Sequence, residues 1–100
     1  MEKRSAHYSL DSIKQMIVHQ EMRIITASAF KDAFNLGLGE DEIIDTVLKL
    51  KPSHLHKSMT TNADHTIWQD VYYIKNCEID LYVKLQITEK SVVISFKERT

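Results

Sequence analysis

Two runs near the C-terminus constrain this chain more than any other feature. Ile79, Leu81, Val83, Leu85 and Ile87 alternate with Asp80, Tyr82, Lys84 and Gln86. Val92, Ile94 and Phe96 alternate with Val93, Ser95 and Lys97. Strict alternation describes a strand with one face on a core and the other in water. The apolar positions are odd-numbered in the first run and even-numbered in the second. Paired residues must share a face, so an odd position must pair with an even one. The shortest hairpin, with Glu89 and Lys90 in the turn, pairs Ile87 with Val92, Leu85 with Ile94 and Val83 with Phe96. On the wet face it sets Tyr82 across from Lys97. Glu-Lys is not a favoured two-residue turn, so a looser loop of the same register serves equally.

The first half reads as helices. Ser9 is placed to cap a helix carrying Leu10, Ile13, Met16 and Ile17 at helical spacing and ending near His19. Met22 to Ile25 is a short extended link. Thr26 or Ser28 caps a second helix with Ala29, Phe30, Ala33 and Phe34 as its apolar face. Gly37 follows where a left-handed cap is wanted, and Leu38 packs back. Asp41 and Glu42 open a third helix with Ile43, Ile44, Val47 and Leu48 inward, and Pro52 stops it. Ser53 to Met59 reads as a last short helix. These stripes are ordinarily core rather than partner surfaces. Helices first and strands after indicate an α+β fold, N-terminal helices packed on a C-terminal antiparallel sheet, in one domain over residues 1–100.

Bulk properties narrow the function. Apolar content of 43% and charged content of 27% suit a soluble globular chain. No apolar run approaches the roughly 20 residues of a membrane span, and no apolar signal region follows the charged Met1-Glu2-Lys3-Arg4. A cytoplasmic protein without membrane contact is expected. The single Cys77 agrees with a reducing compartment and reads as a half-exposed strand residue. The net charge of −1 argues against broad duplex binding, so any positive patch must be local. His54, His56 and His65 lack a matching acid or Cys pair, so neither a metal site nor another cofactor is expected.

The most chemically crowded stretch is Lys57 to Tyr72, KSMTTNADHTIWQDVY. It passes from a polar loop into a β-branched and aromatic run, which would bring polar side chains to the rim of a sheet. Parity alone puts Gln69 with Ile67 and Val71, and Trp68 with Asp70 and Tyr72, a mixed pattern that leaves Gln69 unoriented. A Tyr82–Lys97 pair on an open face is ordinarily cross-strand packing with a snorkelling lysine.

KSMTT followed by DHTIWQDVY resembles the MqsR toxins, ribonucleases of type II toxin–antitoxin pairs. The MEKR start with His7, and Ile94-Ser95-Phe96-Lys97-Glu98 near the end, extend the resemblance over the whole chain. The resemblance implies a RelE-like fold and a ribosome-independent endoribonuclease that cuts single-stranded mRNA at GCU-like sequences. It implies catalytic roles for Lys57, Gln69, Tyr82 and Lys97, and a lesser one for His7. It also implies a zinc-binding antitoxin with a helix-turn-helix region, through which the pair reaches promoter DNA. No metal is needed when the RNA 2′-hydroxyl is the nucleophile. Neighbouring ammonium groups would let Tyr82 move a proton by lowering its pKa. The chain lacks the basic excess common in such toxins, and its second helix and Tyr73–Cys77 depart from the pattern. The rival reading is a non-catalytic module that pairs through a sheet edge.

Overall fold

The computed structural model describes residues 1–100. Its strands are β1 (Glu2–Lys3), β2 (Arg23–Ile25), β3 (Leu55–Thr60), β4 (Trp68–Asn76), β5 (Ile79–Thr88) and β6 (Ser91–Glu98). Its helices are α1 (Leu10–Ile17), α2 (Ala27–Asn35) and α3 (Glu40–Leu48). The six strands form one sheet in the order β1-β3-β4-β5-β6-β2. All neighbours are antiparallel except β2, which runs parallel to β6. The two edge strands have two and three residues, so each offers little backbone for edge pairing.

The β5–β6 register is the one that parity requires. Tyr82 faces Lys97, Val83 faces Phe96, Leu85 faces Ile94 and Ile87 faces Val92. Of the turn residues Glu89 and Lys90, only Glu89 takes a positive φ, 52°. The inner faces of β4, β5 and β6 supply Tyr72, Ile74, Leu81, Val83, Leu85, Val92, Ile94 and Phe96 to the core. Ile13, Ile17, Ala29, Ala33, Ile43, Val47 and Leu50 meet them from the helical side.

Local chemistry explains the helix ends. Ser9 accepts the Ser12 N–H, and Thr26 accepts the Ala29 N–H. After α2, Gly37 takes φ 78° and the Leu38 N–H returns to the Ala33 carbonyl at 2.8 Å, closing a left-handed cap. Arg23 binds Glu40 at 2.9 Å and the Ile17 carbonyl at 3.0 Å, tying β2 to two helices.

Four expectations are corrected. Ser53–Met59 is not a helix. A single 3₁₀ turn at Pro52–His54 runs directly into β3, whose backbone is claimed by β1 and β4. Phe30 and Phe34 are not core, being 42% and 81% exposed. Ala29 and Ala33 carry the contact instead, and Phe30 and Phe34, each about 100° further round the helix, face solvent. On α3, Leu48 is exposed, while Thr46 is buried because its hydroxyl serves the Glu42 carbonyl and Asn76. Cys77 is not in a strand. Cys77 and Glu78 both take positive φ in the tight β4–β5 turn, the φ signature of a type I′ hairpin.

Candidate active site

Helices cover only one side of the sheet's centre. Register fixes what stands on the other. Lys57, Val71, Lys84 and Ser95 form one row across β3 to β6. Tyr73, Tyr82 and Lys97 form the next row, and Lys75 and Asp80 the one after. Gln69 lies on this same open face, opposite Met59. Its orientation follows from Asp70, which turns inward and is fully buried. Asp70 accepts the backbone N–H groups of His7 and Tyr8 at 3.0 and 2.9 Å, strapping the N-terminal arm to the sheet.

All four residues implied by the resemblance therefore share the open face, at unequal distances. Tyr82 is the hub. The Lys97 ammonium lies 4.8 Å from its ring centroid, and Tyr73 lies 6.0 Å away, centroid to centroid. Lys57 is near enough to interact electrostatically with both phenols. Gln69 is four residues from Tyr73 along β4, roughly 13 Å of strand, so it does not reach the Tyr82–Lys97 pair. Its amide donates to Gln86 at 3.0 Å instead. His7 is apart from all four. Its ring stacks on Trp68 at 5.2 Å, on the side of β4 shared with Asp70, and its Nδ1 lies 3.1 Å from the Lys3 ammonium.

A bulge in β3 enlarges the site. Leu55 pairs with Tyr72 but Lys57 pairs with Val71, so His56 and Lys57 together oppose one residue of β4. His56 thereby stacks on Tyr73 at 4.2 Å, with planes 15° apart. The Arg99 guanidinium lies 4.2 Å from the same ring centroid. An imidazole and a guanidinium cannot share one face of a phenol at that distance, so Tyr73 is held between them. His54 serves a different neighbour, its Nδ1 accepting the Lys51 N–H. His56, Tyr73 and Arg99 carry no signal of their own in the sequence, since nothing there announces the bulge.

The charge on this face departs from the chain's balance. Lys57, Lys75, Lys84, Lys97 and Arg99 are cationic, against Glu2, Asp80 and, at the α2 rim, Asp32. Glu2 binds the Lys57 ammonium at 2.7 Å. That hydrogen bond raises the pKa of Lys57 and lowers that of Glu2, so Lys57 is held as an ammonium. Burial raises the Tyr82 pKa and the Tyr73 phenol adds to it, outweighing the opposite pull of Lys57. The expected lowering is thus reversed, and the phenol keeps its proton. Beside it, a cleft of about 180 Å³ opens between Ser28 and Asp32 of α2 and Tyr82, Lys84, Ser95 and Lys97 of the sheet. Within the 57–72 stretch, Thr61, Asp64 and Thr66 bond to one another and hold the β3–β4 loop.

Fold and face together define an α+β protein whose sheet presents cations and aromatic rings side by side on one open face. Comparison with known proteins narrows this class. Residues 5–98 match the family described as "Motility quorum-sensing regulator, toxin of MqsA". The mRNA interferase toxin MqsR of Escherichia coli (strain K12) is 38% identical over 99 residues, covering 99% of this chain and 100% of the relative. The chain belongs to the MqsR toxin family. No helix is long and apolar enough to cross a membrane.

Proposed function

We propose that the open sheet face is where this chain, an mRNA endoribonuclease and the toxin of a toxin–antitoxin pair, cuts its substrate. The observation that carries this placement is Tyr82 with the Lys97 ammonium over its ring and Lys57 in the adjoining row, on a cationic, aromatic face. The full-length match to an mRNA interferase toxin supplies the reaction.

The RNA 2′-hydroxyl attacks the adjacent phosphorus and the 5′-oxygen leaves, giving a 2′,3′-cyclic phosphate and a 5′-hydroxyl. Lys57 and Lys97 balance the charge that grows on the phosphoryl oxygens. Tyr82, which holds its proton, donates it to the leaving oxygen. Gln69, distant from that centre, grips a flanking nucleotide through the amide it shares with Gln86. The cut is selective for sequence and independent of the ribosome and of metal. It stops translation and growth. The partner is a zinc-binding antitoxin with a helix-turn-helix region, which carries the pair to promoter DNA.

Incubation of pure protein with a defined mRNA, with ends mapped, tests this reading. Cleavage is expected to persist in EDTA and to vanish when the cut nucleotide is 2′-deoxy. Loss in EDTA, or cutting of the deoxy site, refutes the internal-nucleophile mechanism.

A further inference from the structure

The four residues of the family site do not include a group able to take the proton from the 2′-hydroxyl. Lys57 is ion-paired and ammonium, Tyr82 keeps its proton, and Gln69 has none to exchange. The Lys97 ammonium is engaged over the Tyr82 ring. Yet attack by a neutral hydroxyl needs an acceptor. Four groups at this face are of the right type: Asp80, a row beyond the Tyr73–Tyr82 pair, Asp32 on the α2 rim next to the acid Tyr82, and Glu2 and His56 on the Lys57 side. The Glu2 carboxylate is tied to Lys57 at 2.7 Å, and that bond makes it a weaker base.

We propose that His56 is a further catalytic residue, the general base of the cleavage. The β3 bulge sets it beside Lys57 on the open face, and stacking on Tyr73 fixes its ring. Neither ring nitrogen is engaged in a hydrogen bond within the protein, whereas Nδ1 of His7 and Nδ1 of His54 each have a partner. Histidine is also the side chain suited to exchanging protons near neutrality. The groups around it are Arg4, bonded to its carbonyl, then Lys57 with Glu2, Tyr73 with Arg99 behind it, and Tyr82 beyond. In the step, a His56 ring nitrogen takes the 2′-proton as the 2′-oxygen–phosphorus bond forms. The bond from phosphorus to the 5′-oxygen breaks, and that oxygen takes the Tyr82 proton. In-line displacement requires base and acid on opposite sides of the phosphate, and His56 of β3 and Tyr82 of β5 flank Tyr73 of β4. Tyr73, between them, spaces the two rings.

This inference rests on the reading of the face as a ribonuclease site, and wild-type cleavage controls for that reading. The test is His56→Phe, which keeps a ring to stack and removes both nitrogens. Single-turnover cleavage is expected to fall about 10²-fold or more, the usual scale for a lost acid–base group, and to lose the acidic limb of its pH profile. A second substrate separates base from acid. A bridging 5′-sulfur leaves as a thiolate and needs no proton. It should rescue Tyr82→Phe and fail to rescue His56→Phe. Wild-type-like rate and pH profile in a folded His56→Phe protein would overturn the proposal, leaving the ring as a stacking surface only. So would rescue of His56→Phe by the sulfur substrate, or an acidic limb lost in Glu2→Gln but kept in His56→Phe. A wild-type protein that does not cut RNA would instead refute the ribonuclease reading itself.

Discussion

Asp70 sits inside the family-like WQD run beside Gln69, yet it faces the other way. The structure makes it a strap for the N-terminal arm rather than a member of the site. Its buried carboxylate accepts two backbone N–H groups, from His7 and Tyr8. Asp70→Ala leaves both donors without an acceptor, at about 1–3 kcal/mol each. A loss of roughly 3–5 kcal/mol follows, a large share of the 5–15 kcal/mol that a domain of this kind holds. Asp70→Asn keeps one carbonyl oxygen but points an amide group at the second donor. It should cost about 2–3 kcal/mol, which at about 4–8 °C per kcal/mol lowers Tm by roughly 10–20 °C. Circular dichroism on heating and in urea measures this. Amide exchange should show residues 2–8 loosening first, since β1 holds the arm to β3 over only two residues. Activity per folded molecule should survive at low temperature, because Asp70 presents nothing to the open face. A Tm within about 5 °C of wild type for Asp70→Ala would refute the strap. A stable Asp70→Asn protein without cleavage would place Asp70 in the chemistry.

Three further outcomes are expected. Lys97→Ala should slow cleavage by about 10²- to 10³-fold, the scale of one lost transition-state stabiliser; Lys84→Ala, on the same face but a row away from the Tyr82–Lys97 pair, should cost far less, and equal losses in single-turnover assays would mean that bulk basicity is what counts. Glu2→Gln should lower KM for RNA only modestly at low salt, since an exposed ion pair competes weakly with phosphate; a raised KM would show that Glu2 helps to hold RNA. Burial pushes the Tyr72 phenol up to about 12, so its contribution is intact below pH 10, the unfolded value, and fades as pH rises from there toward 12. Tyr72→Phe should therefore shift alkaline unfolding to higher pH, and an unchanged midpoint would count against this origin.

The β5–β6 register was legible because both strands bury apolar residues on one face and show polar ones on the other, so parity leaves few pairings. The helix caps Ser9, Thr26 and Gly37 were legible because a cap depends on a few neighbouring residues. The errors share a cause. β4 looked mixed because its inner face carries Asp70 and Asn76 while its outer face carries the fully buried Val71. Those polar residues are buried against partners far along the chain, His7 and Tyr8 for Asp70, Asp45 and Thr46 for Asn76. β3 looked helical because its inner positions are Ser58 and Thr60, which break any apolar alternation. Alternation reveals a face only where burial is apolar. The same limit governs the site. Tyr82 and Lys97 sit on strands with apolar backs, so their pairing could be worked out. Lys57 and Gln69 sit on strands whose inner faces are partly polar, so only family resemblance pointed to them. His56 depends on one extra residue in β3, which shifts which side chains stand on the open face and leaves no trace in residue type.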